Sequence, residues 1–430
     1  MPQSYRVVQH IVDCHYTREY VAATANGDDD RPRLAVKQYI PIDNPNPQPG
    51  DVTLIAAHAN GFPKELYEPL WDDLHRRLAQ SGTRIRSIWI ADMWNQGQSG
   101  VLNEKILGDD PSWFDHARDM MNLINLKRDE MPHPLVGIGH SMGGAQISAV
   151  ALMHPRLFHS VILLDPVMGF VNSGIGPAVA STSRRDIWES RAAAAAKFAQ
   201  SKFYQAWDPR VLDLWIEHGL RELPTELYPS LSSASLANIN SKGQAELGTR
   251  KEDKPVTLTT TKHQELFTYL RPTYRRPDAY PVPDMDPAYD VVNPRGYPFY
   301  RPEPFHVFRR LPELRPSVLY VFGGQSDIST PELRRAKMQN TGTGVGGSGG
   351  VDKGRVEEVV LDCGHLVAME KVGECAEAMA GFLEREVGRW RTQRNAVEAA
   401  RKGRERREVI MIDERWKEEI KPREKGEAKL

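Results

Sequence analysis

Runs rich in β-branched residues alternate with amphipathic stretches along most of this 430-residue chain, and that order leaves few folds open. "RLAVKQYIPI" (33–42) and "DVTLIAAHAN" (51–60) read as strands. "KELYEPLWDDLHRRLAQ" (64–80) reads as a helix with Leu66, Leu70, Leu74 and Leu78 spaced four apart. "RIRSIWIADM" (84–93) is the next strand, and the helix after Pro111 puts Phe114, Ala117, Met121 and Ile124 on one face. "PLVGIGHS" (134–141) is a strand, "MGGAQISAVALM" (142–153) a helix and "HSVILLDPV" (159–167) a strand. After a long interruption come the strand "PSVLYVFGG" (316–324), the short helix "TPELRRAKM" (330–338), the strand "RVEEVVLDCGH" (355–365) and a closing helix from about Val372. Such alternation predicts an α/β fold: a mainly parallel central sheet with helices on both faces. Loops beyond the carboxyl ends of its strands then converge on one rim.

The interruption divides the chain into a first core part (1–169), an insertion (170–310), a second core part (311–383) and a charged tail (384–430). Within the insertion, Asp208 caps a helix that starts on Pro209 and closes at Gly219, with Val211, Leu214 and Trp215 as its apolar stripe. Residues 271–304 are too rich in proline for regular structure. The insertion therefore reads as a helical cap with a strap leading back to the core. In the tail, Trp390, Val397, "VIMI" (409–412) and Trp416 interrupt a run of charges, which suggests a surface laid against a second copy of the chain.

A formal net charge of -1 gives no electrostatic case for nucleic acid or a membrane surface as partner. The three cysteines, Cys14, Cys363 and Cys375, are odd in number and lack metal-ligand spacing, which fits free thiols in a reducing compartment. The amino terminus has no apolar signal region and no run of about 18 apolar residues occurs, so the chain reads as intracellular and soluble. Its last residues, Ala428-Lys429-Leu430, are close to the S-K-L peroxisomal address. They imply delivery to the peroxisomal matrix by an import receptor, and a cytosolic protein if that ending is not read.

"GIGHSMGG" (137–144) ends one of the predicted strands and opens the helix after it. A nucleophilic serine needs a base within hydrogen-bond reach, a group to orient that base, and donors for the developing oxyanion. The strand–turn–helix setting of Ser141 is that of a nucleophile elbow, with Gly139 and Gly143 keeping bulk away from the turn. The backbone N–H of Met142 is then one oxyanion donor. The second is expected from the His58-Ala59-Asn60-Gly61 loop, through the N–H of Asn60 or of Phe62 beyond it. His365, at the end of the last predicted strand and after Gly364, is the candidate base. Two carboxylates compete to orient it: Asp165, ending "SVILLD", and Asp327, in "GGQSDIST" after the next core strand. Each could equally be a turn or capping aspartate. "GTGVGG" (342–347) matches a dinucleotide-binding spacing, but no strand precedes it and no helix follows, so it reads as a mobile loop. Its neighbours Lys353 and Arg355 leave a weak case for contact with a phosphate. The chemistry requires no metal or cofactor.

The elbow, the H-A-N-G loop, "DMWNQGQSG" and the late Gly364-His365 together resemble the α/β-hydrolase superfamily. More narrowly, "AAHANGFPKELYEPLW", "HARDMMNLIN", "PLVGIGHSMGG" and "GTGVGGSGGVDKGRV" resemble fungal peroxisomal acyl-CoA hydrolases of secondary metabolism, the group of mycophenolic-acid and host-selective-toxin biosynthesis. That resemblance covers nearly the whole chain. It implies an α/β-hydrolase fold with a helical cap, cofactor-independent hydrolysis of an acyl-CoA thioester, and a Ser141–Asp165–His365 triad in which Asp165 occupies the family's L-[IL]-D-P step. The same residues would serve a carboxylesterase or lactonase acting on an oxygen ester. A non-catalytic binding protein on this fold would need none of the three. Dehalogenase or epoxide-hydrolase chemistry is disfavoured, because its elbow carries aspartate.

Overall fold

The computed structural model describes residues 4–170, 173–230, 254–272 and 298–420. Most of the proline-rich strap (273–297) and the terminal Ala428-Lys429-Leu430 lie outside the described residues. The chain forms two compact units, residues 1–387 and 388–430.

The first unit is built on an eight-stranded sheet: β1 (Tyr5–Asp13), β2 (Arg33–Pro41), β3 (Val52–Ala57), β4 (Ile85–Ala91), β5 (Leu135–His140), β6 (Ser160–Leu164), β7 (Ser317–Gly323) and β8 (Val356–Leu361). Their spatial order is β1-β2-β4-β3-β5-β6-β7-β8. Only β2 runs against the others, since it pairs antiparallel with both β1 and β4 while every other pairing is parallel. The inner strands β3, β5, β6 and β7 are buried along their whole length, which is why they read as unbroken apolar runs.

Successive side chains of these strands feed two separate cores. Leu54 and Ala56 pack on the face covered by α1 (Glu68–Ser81) and by the closing helix that starts at Val372. Ile55 and Ala57 pack on the opposite face, against α2 (Trp113–Leu126) and α3 (Met142–Met153). Leu66, Leu70, Leu74 and Leu78 are all buried, each contributing on the order of 2 kcal/mol through apolar area removed from water. The stripe of α2 is rotated from the predicted one: Trp113, Ala117, Met120, Leu123 and Ile124 are buried, whereas Phe114 and Met121 are only half-buried.

The inserted residues carry helices Ile175–Thr182, Arg191–Ala199, Pro209–His218 and Lys262–Tyr269 among those described. They also carry a small antiparallel sheet in which Val256–Leu258 lies between Ile187–Trp188 and Leu220–Glu222. Asp208 does cap Pro209–His218, accepting from the N–H of Arg210 at 2.9 Å, and Val211, Leu214 and Trp215 are its buried face. Two groups of contacts fasten this cap to the core. Arg210 makes a two-pronged ion pair with Asp73 of α1, both bonds 2.9 Å, while Phe62 packs edge-on against Trp207 and Trp215. On the other side, helix Lys262–Tyr269 is tied by hydrogen bonds to the loops that follow β3 and β4.

The "GTGVGG" segment is a hydrogen-bonded turn and not the loose loop expected. The N–H groups of Gly342, Gly344 and Ser348 donate to the carbonyls of Leu311, Pro312 and Leu314 at 2.9 to 3.0 Å. All three cysteines are free, with Cys14 half-buried and the other two buried.

The second unit begins within the 30-residue helix Val372–Arg401 and continues through helices Arg406–Ile410 and Glu414–Glu419. Val397, Val409, Ile410, Met411, Ile412 and Trp416 are exposed there. Among the described residues no helix is long and apolar enough to cross a membrane.

Candidate active site

Five neighbouring strands (β3, β5, β6, β7 and β8) end on one rim, and the residues just past those ends build the site. Beyond β5, the N–H of Ser141 extends the ladder by one bond, to Leu164 O at 2.9 Å. The backbone then turns to φ 57°, ψ -118°, and α3 begins at Met142. A positive φ at a non-glycine residue is strained and persists only where its surroundings enforce it. Here they do so by close approach. A Cβ on Gly139 would stand 2.3 Å from Gly143 O, and one on Gly143 would stand 2.2 Å from Ala57 O. Neither position can carry a side chain while α3 starts this near the strand.

Asp165 repeats the device beyond β6. Its N–H bonds Val321 O at 2.8 Å and its φ is 39°, the other non-glycine positive φ among the described residues. The fully buried carboxylate accepts from Gly323 N–H at 3.0 Å through Oδ1, and from the Ser326 hydroxyl at 2.6 Å through Oδ2. Oδ2 also accepts from His365 Nδ1–H at 2.7 Å, and the Ser141 hydroxyl donates to His365 Nε2 at 2.8 Å. The carboxylate can only accept, so the imidazole carries its proton on Nδ1 and offers Nε2 as a base. Burial alone raises the Asp165 carboxyl, but hydrogen bonding and charge from His365, with the Ser326 hydroxyl, outweigh it and hold the group below the usual aspartate range.

The loop expected to supply the second oxyanion donor follows β3. Phe62 N–H is occupied by Ala59 O at 3.2 Å and Gly61 N–H by Gln96 Oε1 at 2.8 Å. The N–H groups of Asn60 and Met142 have no hydrogen-bond partner among the described residues. Ala59 O also accepts from His58 Nδ1–H at 2.8 Å. Because C=O and N–H of a trans peptide point in opposite directions, pinning Ala59 O fixes where the Asn60 N–H aims. The Asn60 side chain is itself engaged, donating to Glu265 O of the cap at 3.1 Å and accepting from Gln96 Nε2 at 2.6 Å. Gln96, in the "NQGQSG" stretch, thus steadies the loop.

Ser141, His365, Asn60 and Met142 share the lining of one cavity of about 200 Å³. Its walls include Trp113, Val167, Tyr269, Phe305 and Ile328, so it is largely apolar. Asp327 lies at this cavity too, exposed to solvent, while Asp165 is the carboxylate on His365 Nδ1. Of the residues singled out in the sequence, then, Ser141, His365, Asp165, Asn60 and Met142 come together, and Asp327 stands apart from the imidazole hydrogen bond. Ser326, Gln96 and the cap residues Tyr269 and Glu265 join the site without a sequence signal of their own, although Ser326 lies in the quoted "GGQSDIST" and Gln96 in "DMWNQGQSG".

Residues 54–378 match the Alpha/beta hydrolase family. The chain belongs to that family. The Type I acyl-CoA thioesterase mpaH' of Penicillium brevicompactum is 39% identical to this hydrolase over 447 residues, spanning 99% of this chain and 98% of its own. The Type I acyl-CoA thioesterase mpaH of Penicillium roqueforti (strain FM164) is 38% identical over 445 residues, with the same coverage. The Abhydrolase domain-containing protein AFT2-1 of Alternaria alternata is 30% identical over 260 residues, 60% of this chain and 85% of its own. Among solved structures, the peroxisomal alpha-beta-hydrolase Lpx1 of Saccharomyces cerevisiae superposes on this hydrolase with a TM-score of 0.63 over 90% of each chain, at 17% identity. That last likeness is one of fold.

Proposed function

We propose that this hydrolase cleaves acyl-CoA thioesters to a free acid and CoA through an acyl-enzyme on Ser141. The observation that carries the reading is the continuous hydrogen-bond series Ser141–His365–Asp165, at 2.8 and 2.7 Å, opening on a largely apolar cavity. Identity of 39% over nearly the full chain to a thioesterase supports the thioester as substrate. Ser141 Oγ attacks the thioester carbonyl as its proton passes to His365 Nε2. The N–H groups of Asn60 and Met142 hold the resulting oxyanion, each contributing roughly 3 kcal/mol to the transition state. The C–S bond breaks, and His365 returns the proton to the departing CoA sulfur. His365 then takes a proton from water, whose oxygen attacks the acyl-enzyme carbonyl; the bond from that carbon to Ser141 Oγ breaks, His365 returns the proton to Oγ, and the free acid leaves. Asp165 keeps the imidazole in the required tautomer throughout.

The test is thiol release from a panel of acyl-CoAs, set beside hydrolysis of matched oxygen esters by the same enzyme. Turnover of the CoA substrates is expected, with kcat/KM for them above that for the oxygen esters. Cleavage of oxygen esters alone would make the protein a carboxylesterase or lactonase with the same residues in the same roles. No turnover, together with failure of a fluorophosphonate to label the protein, would leave a binding protein on a hydrolase fold.

Peroxisomal residence and a place in fungal secondary metabolism belong to the same proposal, the former supported by the Ala428-Lys429-Leu430 sequence. A fluorescent protein fused ahead of the chain should co-localise with a peroxisomal marker and become cytosolic when those three residues are removed. Unchanged localisation on removal would refute the address.

A further inference from the structure

We propose that Tyr67 and His140 are positioning residues: they hold the His365 loop and the oxyanion loop in one register through a single buried hydrogen-bond chain. The inference rests on the roles given above to His365 and Asn60.

The chain runs between the backbone of Ala59 and the backbone of His365. Ala59 N–H lies 2.9 Å from Tyr67 Oη, Tyr67 Oη lies 2.9 Å from His140 Nδ1, and His140 Nε2 lies 3.2 Å from His365 O. Both ends have fixed chemistry, because an amide N–H can only donate and a carbonyl oxygen can only accept. Every intermediate direction follows. His140 carries its proton on Nε2 and donates it to His365 O, its Nδ1 accepts the Tyr67 hydroxyl proton, and Tyr67 Oη accepts from Ala59. This requires a neutral imidazole. Burial, helped by the adjacent His365, pushes His140 down to about 3, so it stays neutral at working pH.

The inner members of the chain are shielded from solvent that could replace a missing link, and only its His365 end is half-buried. Ala59, Tyr67 and His140 are all buried, at 1%, 2% and 0% exposure. The three segments it joins are those that supply the reacting groups. Ala59 precedes the Asn60 amide, His140 precedes Ser141 on β5, and the carbonyl at the far end belongs to His365 itself. Ring packing alone would not need the hydroxyl: Tyr67 meets the His140 ring edge-on at 5.9 Å and stacks on Trp71 at 5.9 Å, contacts that a phenylalanine would keep.

Displacing a reacting group by about 1 Å can cost on the order of 10²-fold in rate. Tyr67→Phe leaves the Ala59 N–H and His140 Nδ1 unpaired and is expected to lower kcat by about 10- to 100-fold with KM nearly unchanged. His140→Leu removes both links and is expected to fall in the same range, whereas His140→Gln keeps one donor and one acceptor and should retain kcat within about fivefold of wild type. Because one chain is cut at either point, the double variant Tyr67→Phe/His140→Leu should lose no more than the worse single variant.

The experiment measures kcat and KM of these variants on the best acyl-CoA of the panel, with Ser141→Ala alongside. A kcat for Tyr67→Phe within about twofold of wild type overturns the proposal, as does equal kcat for His140→Gln and His140→Leu. Should Tyr67→Phe fail to fold, the His140 pair decides alone. An inactive Ser141→Ala beside a fully active Tyr67→Phe removes only the positioning role, whereas an active Ser141→Ala removes the reading of the site and this proposal with it.

Discussion

Replacing Ser141 by alanine is expected to lower kcat by about 10⁶, on the scale seen when the nucleophile of a serine triad is removed from subtilisin. Size is not the reason, since the substitution deletes one oxygen at a site where α3 already starts close to β5. The reaction loses its covalent route and its proton acceptor becomes idle, because among the described residues the Ser141 hydroxyl is the one within hydrogen-bond reach of His365 Nε2. A residual acceleration of roughly 10³ to 10⁴ over water should survive, since the Asn60 and Met142 amides are backbone groups that the mutation leaves in position. Single-turnover thiol release would read this directly, and a fluorophosphonate should no longer label the protein. Loss of less than about a hundredfold would mean that Ser141 is not the nucleophile.

The next largest effect is expected at Asp165, where Asn should lower kcat by up to about 10⁴. The asparagine side chain can offer its NH₂ to His365 Nδ1, which moves the ring proton to Nε2 and leaves that nitrogen unable to accept from Ser141. The loss concerns the tautomer, and substrate affinity should change little. Asp327→Asn should stay within about tenfold of wild type, because the Nδ1 partner is intact. Steady-state kinetics of the two variants side by side settle the assignment. Near-normal turnover for Asp165→Asn with collapse for Asp327→Asn would reverse it.

These two aspartates show where the sequence stops being informative. Ser141 and His365 were legible because a nucleophile elbow and a histidine after the last strand are local patterns, each carried by a few adjacent residues. Which carboxylate meets the imidazole is set by non-local geometry. Asp165 reaches the imidazole because β6 and β7 are neighbours, because Val321 O anchors its N–H, and because a positive φ turns its side chain under the ring. Residues alone left Asp165 and Asp327 open, and only the resemblance favoured Asp165.

The fold divides in the same way. Each inner strand was legible as an apolar run, and α3 was read to the residue because Ser141 and the glycines mark its start. The edge strand β1 was missed because only Tyr5 and Val12 of its nine residues are buried, so its hydrophobic alternation is faint. The cap strands were missed because they are two or three residues long and exist only through pairing with one another. On α2, Phe114 and Met121 fit an apolar stripe with Ala117 and Ile124 as well as Trp113, Met120 and Leu123 do, so helical spacing alone does not fix which face turns inward. Its neighbour α3 sets the orientation.

The cap helix Lys262–Tyr269 holds Asn60 from above, through Glu265 O, and meets Gln96 through Thr268. The insertion that shapes the acyl cavity therefore also braces the amide proposed to stabilise the oxyanion. Selectivity and turnover are consequently not separable modules in this enzyme. A chimera that exchanges the cap to admit a different acyl chain would also withdraw the carbonyl on which Asn60 hangs. Re-targeting is better sought in Phe305 or Ile328, which border the cavity without touching that brace, or in exchanges that carry Glu265 and Thr268 across with the graft.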